Sequence, residues 1–92
     1  MNLPTSLRDA LEDPVVQGLP LTVFVRCWLW LEPYRHRPLP GHVVARDLRV
    51  KREAATAALR LLVDNGYLER GSNAEHGVPT YRVLVTRFVR TD

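Results

Sequence analysis

The sequence predicts a mainly α chain with a small β-hairpin, an α+β fold held in one domain. Three observations carry this expectation. Apolar residues between 50 and 63 recur with a period near 3.6 and stop at Asn65-Gly66. A shorter helical stretch, 42–49, leads directly into them. Beyond Gly66, Tyr67–Arg70 and the alternating run from Thr80 to Val89 flank a turn-rich segment, as the two strands of a hairpin do.

The elements follow in chain order. Residues 1–18 form an expected N-terminal helical arm. Thr5 or Ser6 is placed to cap a short helix, Leu7, Ala10 and Leu11 give it an apolar side, and Pro14 lies just beyond its end. So short a helix must dock on the rest of the chain or fray. Val15–Gly18 is then a connector. Leu19 to Tyr34 is the next helix, with Pro20 in its first turn and Pro33 at its end. Phe24, Cys27, Trp28 and Leu31 form its natural core stripe. Leu21, Val25 and Leu29 form a second stripe, and Val23 and Trp30 a third. A helix apolar nearly all round is covered on more than one side. The cover here is the N-terminal helix, the C-terminal strand or a second subunit; in the last case Leu21, Val25, Leu29 and Trp30 make a dimer interface.

Tyr34–Gly41 is a basic, proline-rich loop. The helix over 42–49 carries Val44-Ala45 and Leu48 inward, with Ala45 small enough for a close crossing. In the helix over 51–64, Val50, Ala54, Ala55, Ala58, Leu59, Leu62 and Val63 fall on one side. Lys51, Arg52, Glu53, Thr56, Ala57 and Arg60 fall on the other. After the first strand, residues 71–79 are rich in turn formers. Along Thr80–Val89, Tyr81, Val83 and Val85 alternate with Arg82, Leu84 and Thr86.

Composition narrows the function classes. Ninety-two residues build one modest core and leave little room for a deep active-site cleft. Residues 35–92 hold eleven basic against six acidic residues, whereas residues 1–34 hold two against four. The basic excess thus accompanies the 51–64 helix and points to a polyanionic partner. Cys27 is the only cysteine, which excludes an internal disulfide and a cysteine-built metal site. Amid Phe24, Trp28 and Leu31 it reads as a buried, inert thiol. His36, His42 and His76 occupy three separate segments with no helical spacing for zinc, and no glycine loop cradles phosphate. No catalysis, cofactor or metal is therefore expected. The apolar run Leu19–Leu31 is too short to span a membrane, and no signal peptide opens the chain, so a cytoplasmic protein is expected.

Residues as well as element order resemble a known family. Val44-Ala45-Arg46-Asp47-Leu48-Arg49-Val50 looks like the first helix and turn of a winged helix-turn-helix domain. Ala55, Ala58-Leu59 and Leu62 look like the inward positions of its recognition helix. Asp64-Asn65-Gly66-Tyr67-Leu68 looks like its helix end and the start of its wing. The likeness is to the DNA-binding domains of bacterial regulators of the GntR and MarR types, and to the winged helices of phage and plasmid replication proteins. It covers roughly residues 19–86, within an expected domain of 19–89.

The resemblance implies a three-helix core plus wing that binds double-stranded DNA as a transcriptional regulator, as a homodimer, with the 51–64 helix in the major groove. Arg52 and Thr56 would then reach bases, and Lys51 and Arg60 phosphates. Arg46 and Arg49 would flank the turn against the DNA backbone. Arg70, Ser72, Asn73 and His76, with Arg82 at the base of the wing, would meet phosphates or the minor groove. Two alternatives remain open at this point: a winged helix used for protein–protein interaction, and a replication or recombination accessory protein. No effector domain is expected after the hairpin.

Overall fold

In the computed structural model, residues 3–88 are described. Four helices and a three-stranded antiparallel sheet occur among them: α1 (Thr5–Glu12), α2 (Leu19–Trp30), β1 (Arg37–Pro38), α3 (Gly41–Leu48), α4 (Arg52–Asp64), β2 (Leu68–Arg70) and β3 (Thr80–Val83). The chain is thus a mainly helical α+β fold, as its periodicities predict. Among the described residues, no helix is long and apolar enough to cross a membrane.

α4 organises the packing. Its inward residues Ala55, Ala58, Leu59 and Leu62 are buried, while Lys51, Arg52, Glu53, Thr56, Ala57 and Arg60 are exposed. The two faces read from the sequence are therefore the two faces observed. Three alanines on the inward and flanking positions let α2 and α3 approach α4 closely; both pack on it. α2 contributes Val23, Phe24 and Cys27, and α3 contributes Val44 and Ala45. Burial in this apolar setting pushes the Cys27 thiol up to about 12, so the nucleophilic thiolate is suppressed.

α2 ends at Trp30, four residues short of the expected Tyr34. Pro33 cannot sit inside a helix that continues to Tyr34, because it lacks an N–H and restricts Glu32; the chain is already extended at Leu31. Leu31 still reaches the core, at 7% exposure, whereas Trp28 is only partly buried. The Pro-rich loop that follows contains a strand the sequence does not announce. β1 is two residues long, and its bonds go to the middle of the sheet, whose order is β1-β3-β2.

β3 is also shorter than expected. It pairs Tyr81, Arg82 and Val83 with Arg70, Glu69 and Leu68, and it ends there. Its partner is the limit, because the chain before Leu68 turns through Gly66 at φ +81° and offers no further strand. Val85, which the alternation places on the same side as the buried Tyr81 and Val83, is exposed; its carbonyl accepts the Ser6 N–H at 2.9 Å. The expected strand end at Val89 lies outside the described residues.

The N-terminal arm docks into the same core. Ala10 and Val16 are fully buried. Neither Thr5 nor Ser6 caps α1: Pro4 stands at the cap, and Ser6 is buried inside the helix. The other end is closed by Gln17, whose side-chain amide donates to the carbonyls of Ala10, Leu11 and Asp13 at 2.8–3.2 Å. Asp13 then does two tasks. One carboxylate oxygen accepts the Val15 N–H at 2.9 Å, and the other accepts the hydroxyl of Tyr67 at 2.6 Å.

Tyr67 is fully buried and its ring lies 5.3 Å from that of Phe24. The Arg87 guanidinium sits 4.9 Å above the same ring and 3.5 Å from Asp13, and its Nε donates to the Asn65 carbonyl at 2.7 Å. The Tyr67 hydroxyl, the Val15 amide and Arg87 together hold the Asp13 carboxyl below its ordinary value of 3.8. Its stabilising effect is therefore complete above that value and disappears as pH falls through the lower folded-state value. Tyr67→Phe should cost about 1.5–3 kcal/mol in urea unfolding at neutral pH, because the bond is to a charged acceptor. The deficit relative to wild type should shrink as the pH is lowered through the titration of Asp13. An unchanged deficit in acid would assign the loss to packing and not to this bond.

Candidate nucleic-acid interface

Six basic side chains and a threonine cluster around α4 and the turn that precedes it. Arg46 lies on α3, Arg49 and Lys51 in the turn, and Arg52, Thr56 and Arg60 on α4; all are exposed. His42, at the start of α3, is exposed beside them. Arg52, Thr56 and Arg60 line one continuous surface together with Glu53, Ala57 and Asp64. None of Arg46, Arg49, Lys51, Arg52 and Arg60 forms an ion pair among the described residues, where six such pairs occur elsewhere. They are therefore available to an external anion, with Glu53 and Asp64 opposing it on the same face.

The turn itself departs from what its backbone prefers. Arg49 adopts a left-handed conformation, φ 57° and ψ 44°. Its N–H donates to the Arg46 carbonyl at 3.3 Å, and the Val50 N–H to the Ala45 carbonyl at 3.0 Å. These two bonds close a helix end in the arrangement that usually places glycine at the left-handed position. Two residues on, Lys51 holds the N-cap position of α4 and offers no side-chain acceptor. Serine, threonine or aspartate would satisfy an α4 N–H there. A cation thus stands at both positions where local stability favours another residue.

The hairpin approaches the same region at its tip. His76 has φ 62° and Gly77 φ 73°, so two successive residues take the left-handed turn. A cleft of about 330 Å³ separates this tip from α3 and α4; Gly41, His42, Arg52, Thr56 and His76 are among its lining residues. Gly41 lies close to α4 there: a Cβ would stand 3.0 Å from the Thr56 hydroxyl. Arg70 is exposed on β2 and donates to the Asn73 side-chain oxygen at 3.0 Å. Ser72 is exposed, with its carbonyl taken by the Thr80 hydroxyl at 2.7 Å.

Arg82 has a different role from the one its position suggests. Its guanidinium forks onto Glu69 at 2.8 and 3.2 Å, and its remaining nitrogen donates to the Pro33 carbonyl at 2.9 Å. It fastens the hairpin to the segment before β1, with His36 3.0 Å from the same carboxylate. Arg82 first, and then His36, hold the Glu69 carboxyl below the usual carboxylate range. The four residues expected at a subunit interface also separate. Val25 and Leu29 are open at 46% and 74% exposure, whereas Leu21 and Trp30 are partly buried and pack on the core.

Sequence reasoning did not place His42 at this surface. Its only signal was adjacency to Gly41, and nothing local shows that α3 begins opposite the hairpin tip. No cluster of three or more metal-ligating side chains occurs among the described residues. Comparison with known protein families, with curated proteins and with solved structures gives no match.

Arg49→Gly should raise stability by about 1–2 kcal/mol, because glycine takes the left-handed conformation without the steric cost that an L side chain carries. The readout is the urea unfolding midpoint. No gain would show that the arginine side chain compensates its own backbone through packing.

Proposed function

We propose that this chain is a winged helix-turn-helix domain that binds double-stranded DNA, with α4 in the major groove. The order helix, strand, helix, helix, hairpin, with β1 added to the sheet beside β3, supports the fold reading. Its role is that of a transcriptional regulator, acting by occluding a promoter or recruiting another protein, without performing chemistry.

The observation that carries the proposal is the pair of cations at the α3–α4 turn. Arg49 holds a left-handed backbone position and Lys51 an N-cap, each at a cost of the order of 1 kcal/mol relative to the preferred residue. Residues that violate local preference are most readily explained by a partner that needs them. Together with Arg46, Arg52 and Arg60 they present five unpaired cations around one helix, matched to closely spaced phosphates. Arg52 and Thr56, on the outward centre of α4, are the base readers. Arg46, Arg49, Lys51 and Arg60 position the helix through phosphates, and Arg70, Ser72, Asn73 and His76 bring the hairpin to the flanking backbone.

The protein acts as a homodimer in this reading, with Val25 and Leu29 of α2 meeting their counterparts. The same two side chains favour a second reading, in which α2 docks another protein and DNA is incidental.

Binding to a random-sequence duplex should weaken steeply with salt, with a log–log slope of about −4.5 if each of the five cations neutralises one phosphate. Absence of binding at low salt would end the DNA reading and leave the interaction module. Arg52→Ala should cost about 1–3 kcal/mol and relax preference at one base pair; equal loss on every sequence would make it a phosphate contact. Leu29→Glu should convert a dimer into a monomer in sedimentation without unfolding it. A wild-type monomer at micromolar concentration would remove the dimer from the proposal.

A further inference from the structure

The cleft between α3, α4 and the hairpin tip has an uncommon polar composition. His42 faces it from α3, Arg52 and Thr56 from α4, His76 from the hairpin tip and Tyr81 from β3. Pro40, Leu59, Val78 and Pro79 complete its walls with apolar surface. Among the described residues, no carboxylate lines it. Glu53 lines the outer surface of α4, Glu75 is exposed beside His76 and is not among the residues lining the cleft, and Arg46 follows His42 by one helical turn on α3. The polar groups that share the cleft with the two imidazoles are thus a guanidinium, a hydroxyl and a phenol.

Two further features suit an anion. α3 begins at Gly41 behind Pro40 and has no side-chain cap, so its first-turn N–H groups lack a side-chain acceptor. The chain also holds His76 in a left-handed conformation to bring it to this place. A phosphate group supplies what the cleft lacks: negative charge and several acceptor oxygens for two imidazolium N–H groups, while Arg52 and Thr56 keep the base contacts of the proposed function.

We infer that this cleft seats one phosphate of a bound duplex, and that it grips that phosphate more tightly when His42 and His76 are protonated. The inference rests on the DNA-binding reading and makes that binding proton-linked. A phosphate beside an imidazole favours its charged form, so the bound state takes up protons. Affinity for the duplex therefore rises as the pH is lowered into the range where imidazoles take up protons.

The test follows duplex binding by fluorescence anisotropy at one low salt concentration, from about pH 8 to about pH 5.5, across the histidine range. Wild-type affinity should rise on the order of tenfold or more. His42→Gln and His76→Gln should each remove part of that rise, and the double variant should flatten it. His36→Gln should retain it, because His36 lies against Glu69 and away from the cleft. Inorganic phosphate added to the wild type should shift the ring resonances of His42 and His76 in proton NMR and leave those of His36 in place; this arm needs no variant to fold. A double variant that keeps the wild-type pH profile overturns the inference, and so do ring resonances that phosphate leaves unmoved. If no duplex binds at any pH, the DNA reading fails by itself. Phosphate-shifted rings would then keep the cleft as a site for a small phosphate-bearing ligand, and unshifted rings would end both.

Discussion

The buried hydroxyl of Tyr67 is the constraint on which the arrangement depends. Its ring packs against Phe24 at the centre of the core, and a phenol so deeply placed must find a partner for its O–H. The acceptor comes from the N-terminal arm, at Asp13. Arg87 covers the ring from the other side and ties Asp13 to the carbonyl of Asn65, at the end of α4. One side chain thus joins the arm, the end of α4, the start of β2 and the segment after β3.

Against that well-satisfied centre, the surface around α4 is left unsatisfied. Arg82 and Glu69, Arg37 and Glu32, and Arg26 and Asp47 pair on other faces. The cations of the α3–α4 turn and of the α4 outer face remain without protein partners among the described residues. Three of the residues there or at the hairpin tip, Arg49, Lys51 and His76, occupy backbone positions better suited to glycine or to a capping hydroxyl. A chain selected for stability alone would replace them at little expense elsewhere. These are the residues on which the proposed binding of a polyanion rests.

Parts of this surface were legible in the linear chain. The period of Ala55, Ala58, Leu59 and Leu62 assigns the outward face of α4 correctly, because a helix carries its inside and outside in its own spacing. Lys51, Arg52, Thr56 and Arg60 follow from it without knowledge of the fold. Arg82 and His42 do not. Arg82 alternates outward on a strand like any exposed residue, and only the nearness of Glu69 and of Pro33, 49 positions earlier, shows that its fork is occupied. His42 lies in the first turn of a short helix, and the direction it faces is fixed only when α3 is packed on α4.

The sequence by itself determined which segments are helical, where α4 stops, which of its residues face inward and that the basic excess travels with it. These are local properties, written in period, in proline and glycine placement and in charge. Tertiary structure alone decided the docking of the arm, the two-residue strand β1, the early end of β3, the partial burial of Leu21 and Trp30, and the convergence of His42, Arg52 and His76 on one cleft. Each of these depends on a contact between residues far apart in the chain. The bond from Tyr67 to Asp13 spans 54 positions, and no periodicity within either segment records it.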